Sequence, residues 1–263
     1  MKNEIRIFFT AMMFYTQLPC PKWVDHNPEH LNKSTRYFPL IGWLVGGLSF
    51  LAYWISNFLF GADIAVILSL AAGVYITGSF HEDGFADVFD GFGGGWTKSR
   101  ILDIMKDSRL GTYGVVALIF LFGLKYLALH QLVLLNLPTA PPYILLLFFV
   151  TYHALARLTA IQITFTSKYS REDESSKSKP IAKAYSYKEV IGAYVFGLAP
   201  LLVLVTLYWQ AIFVLLPLFL LYVISQRYFN KWLDGYTGDC LGAVEQFAEV
   251  ITLLTFLVIW KFL

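Results

Sequence analysis

Charge is scarce in this chain. Lys, Arg, Asp and Glu make up only 14% of its 263 residues, where a soluble domain carries about 25%. So few charges leave too little polar surface to cover a water-facing fold. The net formal charge is +2, which excludes the strongly basic footprint of a nucleic-acid binder. Cysteine is nearly absent: Cys20 and Cys240 lie far apart, so neither a disulfide framework nor a zinc site is expected. The first apolar run, residues 5–18, contains Arg6, is short for a membrane span and shows no small-residue cleavage pattern. It reads as an interfacial helix leading into the Pro19–Cys20–Pro21 break. No internal repeat is evident.

Long apolar runs are what the chain does have, with 57% of its residues hydrophobic. A span needs roughly 20 apolar residues. Runs at about 38–60, 63–82, 113–135, 142–166, 189–208, 210–226 and 242–261 qualify, giving about seven helices. The expected fold is an all-α, polytopic membrane protein, with residues 1–263 as one membrane-embedded domain and 1–35 as a cytoplasmic interfacial segment. Lys and Arg cluster in alternate loops: before the first span, at Lys98–Arg109, at Lys168–Lys188 and at Arg227–Lys231. Positive residues mark the cytoplasmic side, so the N-terminus is placed inside and, with seven spans, the C-terminus outside. The Ser/Lys/Glu-rich stretch Ser167–Lys183 reads as a solvated loop.

The acids are not spread evenly. His81-Glu82-Asp83-Gly84-Phe85-Ala86-Asp87-Val88-Phe89-Asp90-Gly91 sits where the second span reaches its inner end. On a continuous helix, Asp83, Asp87 and Asp90 fall within roughly 60° of one another. Three carboxylates on one stripe repel unless a cation compensates, and a hard divalent ion suits oxygen ligands. A solvated acidic helix end is the plainer alternative. His81 lies about 200° around the helix from Asp83, which favours an orienting or packed role over direct base catalysis. The next loop holds Gly93-Gly94-Gly95 and then Asp107-Ser108-Arg109, a combination that suits phosphate or an ordinary cytoplasmic loop.

Late in the chain, Thr237-Gly238-Asp239-Cys240-Leu241-Gly242 precedes the last span, with Asp239 as ligand or helix cap. Glu245 and Glu249 follow on one face, inside a membrane helix, where an unpaired acid costs on the order of 2–3 kcal/mol. Lys125 and Arg157 lie within the third and fourth spans. They either neutralise those glutamates or hold substrate phosphates, and both readings imply a polar cleft open to the cytoplasm.

Together these residues resemble the cobalamin synthase (adenosylcobinamide-GDP ribazoletransferase) family over nearly the whole chain. Phe38-Pro39-Leu40-Ile41-Gly42, the His81–Gly91 motif, Asp107-Ser108-Arg109-Leu110-Gly111, Lys125, Arg157 and Thr237–Ala243 carry the resemblance. Gln17 stands where the family often has Arg, and the loop at 170–176 lacks the family's glycine. The resemblance implies a Mg²⁺-dependent reaction at the cytoplasmic (inner) membrane, with the site facing the cytoplasm. Adenosylcobinamide-GDP loses GMP, and α-ribazole or its 5′-phosphate takes its place on the remaining phosphate. On this reading Asp83, Asp87 and Asp90 hold Mg²⁺, and Asp239 or Glu245 completes the ligand set. Arg109 and Arg157 steady the diphosphate, with Lys125, Asp107 and Glu249 also near the phosphates. Asp83, or less directly His81, handles the proton, and no histidine is assignable as a cobalt ligand. Membrane lipid is the surrounding solvent. Self-association, or a complex with neighbouring pathway enzymes, is compatible with the chain but called for by no residue.

Two other enzyme or transport classes compete. A CDP-alcohol-type phosphotransferase places Ala-Arg shortly after Asp-Gly, and here Asp83-Gly84 is followed by Phe85-Ala86-Asp87. A cation or proton-coupled transporter also carries intramembrane acids, but it often shows inverted repeats, and here the acids gather at one face.

Overall fold

The structure, a computed structural model, describes residues 2–24, 27–136, 141–170 and 185–262. Most of the Ser/Lys/Glu-rich stretch, 171–184, falls outside the described residues. Among the described residues the regular structure is helical, joined by short turns, apart from one isolated bridge between Tyr169 and Tyr236. Helix α1 (Lys2–Tyr15) lays Ile7, Ala11, Met12 and Tyr15 against the core, and α2 (Pro28–Ser34) is a short helix after the proline break. The main helices follow: α3 (Phe38–Phe60), α4 (Ala62–Thr77), α7 (Thr112–Asn136), α8 (Pro142–Thr166), α9 (Tyr187–Leu207), α10 (Leu215–Leu233) and α11 (Gly238–Lys261). Between α4 and α7 lie α5 (Phe80–Gly94) and α6 (Lys98–Ile104).

Among the described residues, six helical stretches are long and apolar enough to cross a membrane, and a seventh crossing comes from α4 and α5 taken as one bent unit. Side chains such as Trp54, Phe58, Ile119, Phe120, Leu216 and Phe219 are exposed on the outer faces, as lipid-facing positions require. At the centre is α8, with 83% of its apolar window buried, against 22% for the segment containing α10. Packing against α8 depends on small residues. A Cβ on Gly42 would stand 2.6 Å from the His153 carbonyl oxygen, and one on Gly46 would stand 2.5 Å from that of Phe149. Two glycines four residues apart share one helix face, so α3 approaches α8 backbone to backbone.

The expected second span, 63–82, is corrected by the structure. Gly78 and Ser79 both adopt left-handed backbone, at φ 66° and 59°, and α5 leaves α4 at 89°. Two consecutive left-handed residues end an α-helix. The acidic motif therefore lies on a helix of its own, crossing the end of the bundle. Gly93 and Gly94, expected in a loop, lie in the last turn of α5, where a Cβ on Gly93 would meet the Tyr113 ring at 2.6 Å. Gly93 thereby allows close packing of α5 against α7. The last span starts at Gly238, not 242, capped by Thr237, whose hydroxyl accepts the Cys240 N–H at 3.3 Å. Asp239 is thus not the cap.

Candidate active site

Two polar regions meet at α5. The outer one is the crossing of α5 with the start of α11. A Cβ on Gly84 would stand 2.9 Å from the Asp239 Cα, and one on Gly242 would stand 2.9 Å from the His81 carbonyl oxygen. Only glycine permits this approach. Asp83 and Asp87 flank Gly84 on α5, so helix segments about 150 positions apart in the chain, each carrying acids, meet at one crossing. Asp83 is exposed, while Asp87 and Asp239 are half-buried. Asp239 accepts a hydrogen bond from the Thr237 hydroxyl at 3.3 Å.

Asp90, on the same stripe by helical phase, differs from Asp83 and Asp87 in its surroundings. It is buried, and its two oxygens accept the Gly111 N–H at 2.7 Å and the Gly114 N–H at 2.9 Å. It anchors the start of α7. Between α6 and α7, Arg109 and Asp107 form an exposed pair, with Nη2 of Arg109 2.5 Å from the Asp107 carboxylate. The Arg109 side chain and backbone N–H hold the Asp107 carboxyl down at about 2.

The inner region lies behind α5, within the bundle. Lys125 on α7 donates to Glu249 Oε2 at 2.6 Å and to the Gln246 side-chain oxygen. His153 Nδ1 donates to Glu249 Oε1 at 2.5 Å. Arg157 Nη1 is ion-paired with Glu245 Oε1 at 2.8 Å, at an angle outside hydrogen-bond geometry, and donates to the His153 carbonyl at 3.1 Å. Gln246 donates to Glu82 Oε1 at 3.1 Å and to Glu245 Oε2 at 2.9 Å. His81 Nδ1 is 3.8 Å from Glu245 Oε2 and on the side of α5 away from Asp83, as the helical phase implies. The network encloses a cavity roughly one water molecule in size.

His153, Glu245 and Glu249 offer ligand atoms within 4.8 Å of one another and could hold a metal ion. Lys125 and Arg157 already bring two positive charges to the same carboxylates. The structure thus divides the sequence candidates. The segments carrying Asp83, Asp87 and Asp239 meet at the outer crossing, while His81, Lys125, Arg157, Glu245 and Glu249 share the inner network. Glu82, His153 and Gln246 belong to that network and were not singled out from sequence. The i, i+4 spacing of His153 and Arg157 was the available signal.

A family model described as cobalamin-5-phosphate synthase matches residues 7–257. The chain belongs to that family. Named adenosylcobinamide-GDP ribazoletransferases of this family are similar along their full length. The protein of Shewanella sp. (strain W3-18-1) is 41% identical, covering 99% of this chain and 97% of its own. That of Shewanella sp. (strain ANA-3) is 42% identical over the same shares. No solved structure matches the chain. Both polar regions lie within the family match.

Proposed function

We propose that this cobalamin-5-phosphate synthase family member transfers ribazole to adenosylcobinamide-GDP at the crossing of α5 and α11, in late cobalamin biosynthesis. The Gly84–Asp239 contact supports the reading, because the helix segments that carry the family's two separated acidic motifs touch there. Asp87 and Asp239, half-buried, would hold Mg²⁺, and exposed Asp83 either joins them or receives the proton. The donor chemistry suits Mg²⁺: the side chains offer only oxygen, Asp83 is exposed, and Mg²⁺ retains several waters and needs few protein ligands. Bound there, the ion supplies charge neutralisation at the diphosphate.

A ribose hydroxyl of the α-ribazole attacks the phosphorus next to the cobinamide, forming a new P–O bond. The bond to the bridging oxygen breaks, and GMP leaves with that electron pair. The hydroxyl proton passes to Asp83. Arg109, exposed on its loop, meets the diphosphate from the water side. The inner network holds α5, α7, α8 and α11 in register and leaves no room for substrate. The Lys98–Asp234 pair joins the α6 side to the end of α10, and the bridge at Tyr169 and Tyr236 joins the loops after α8 and α10. The Lys/Arg-rich segments therefore share the end that carries the acids, which supports a cytoplasm-facing site.

The test is GMP release by purified, detergent-solubilised protein given adenosylcobinamide-GDP, α-ribazole and Mg²⁺, with and without EDTA. GMP release matched by cobalamin formation and abolished by EDTA is expected. Absence of release from folded protein would sink the proposal.

A further inference from the structure

We propose that Asp90 is a positioning residue for this reaction, one that aims the Arg109 loop at the acidic crossing and is not itself a metal ligand. The proposal rests on the reading of the crossing as the active site. Its basis is an anchoring geometry at both ends of one exposed loop. At the far end, Asp90 accepts the backbone N–H groups of Gly111 and Gly114 on separate oxygens, at 2.7 and 2.9 Å. These groups belong to the start of α7, whose first N–H groups have no partner within the helix. A carboxylate from another helix supplies what an N-cap residue would, together with the negative charge the helix dipole favours. At the near end, the Met105 side chain is buried against Gly91, where a Cβ would stand 2.8 Å from Met105 Cγ.

Adjacent residues of α5 therefore fix both ends of the segment 106–110, which is exposed apart from half-buried Asp107. Asp87 lies one turn earlier on the same helix. The distance from Arg109 to the acids is thus set through α5 itself. Gly111 and Gly114 complete the fit, since a Cβ on either would strike the Asp90 carboxylate. With each oxygen receiving a backbone N–H group at the start of α7, the buried Asp90 carboxylate is aimed at that helix end.

The experiment measures amide hydrogen exchange on the purified full-length protein in detergent, beside steady-state kinetics, for Asp90→Ala, Asp90→Asn and Asp90→Ala with Gly111→Ser. In Asp90→Ala, exchange at Gly111 and Gly114 should quicken roughly ten- to a hundredfold. KM for adenosylcobinamide-GDP should rise more than kcat falls, and the Mg²⁺ concentration for half-maximal rate should stay in place. Asp90→Asn keeps one acceptor and should fall between. In the double variant, the introduced hydroxyl occupies the space Asp90 vacates and can cap the Gly114 N–H. Gly114 protection and KM should return toward wild type, although a neutral hydroxyl is no substitute for a metal-binding carboxylate.

A shifted Mg²⁺ requirement would overturn the proposal, as would unchanged exchange or quickened exchange with unchanged KM. If Asp90→Ala does not accumulate, Asp90→Asn beside wild type still reads exchange at Gly111 and Gly114, KM and the Mg²⁺ requirement. The exchange results stand whether or not the crossing proves to be the catalytic centre, so the two failures are distinguishable.

Discussion

Gly84 and Asp239 lie so close that a Cβ on the glycine would stand 2.9 Å from the aspartate Cα, a contact with backbone that a side-chain rotation cannot relieve. Gly84→Ala should push α5 away from α11 and lower turnover at least about tenfold, given how strongly catalysis depends on placement. Gly47→Ala is the control, because a Cβ there meets nothing within 4 Å. Rates for the two variants, normalised to folded protein, check this.

The carboxylates at the crossing should differ from those inside. Asp83→Asn should reduce GMP release by about a hundredfold or more, in the range general acid–base groups contribute. Membrane accumulation and thermal stability should hardly change, since Asp83 is exposed. Near-normal turnover would remove Asp83 from the mechanism.

Within the bundle the order reverses. Lys125 and Glu249 are buried and 2.6 Å apart. Removing one partner of a buried pair costs about 3–5 kcal/mol, because the other charge is stranded. Lys125→Met should lower the Tm in detergent substantially. Lys125→Met with Glu249→Gln should recover part of that loss, a non-additivity the thermal unfolding of the four species would reveal.

Asp107 supplies a pH test. Its carboxyl is held down at about 2 by Arg109, against about 3.9 when free. A lowered value means the pair is fully present above the free value and is lost only as pH falls through about 2. Asp107 is therefore ionised throughout the working range. Asp107→Asn should leave the acid limb of the rate–pH profile between pH 5 and 9 where it is in wild type. Movement of that limb would show that Asp107 titrates in the reaction.

Much of the fold was legible from local sequence. The first span, 38–60, begins and ends as expected, because Pro39 opens it and Gly61 at φ 83° turns it back. The orientation of His81 relative to Asp83 also followed from helical phase. The end of α4 was harder to see. Gly78-Ser79 interrupts no apolar run, and a left-handed pair is chosen by what the turn packs against. Here that is Gln17, whose side chain fills the space beside Gly78 and whose N–H bonds the Ile76 carbonyl at 2.7 Å. The same blindness made Gly93-Gly94-Gly95 look like a loop, when Gly93 serves the Tyr113 ring.

By itself the sequence determined that this is a helical membrane protein of the cobalamin-5-phosphate synthase family with costly acids in two motifs. Span length and charge asymmetry are additive and local, and motif identity survives without any knowledge of contacts. Only the tertiary structure decided how those acids are shared out. The segments carrying Asp83, Asp87 and Asp239 touch at the α5–α11 crossing, Glu245 and Glu249 are neutralised inside by Arg157 and Lys125, and Asp90 is given to the start of α7. A carboxylate has the same composition and helical phase in all three roles. What separates the roles is which cation, N–H group or water lies within about 3 Å, and that is set by helices far apart in the chain.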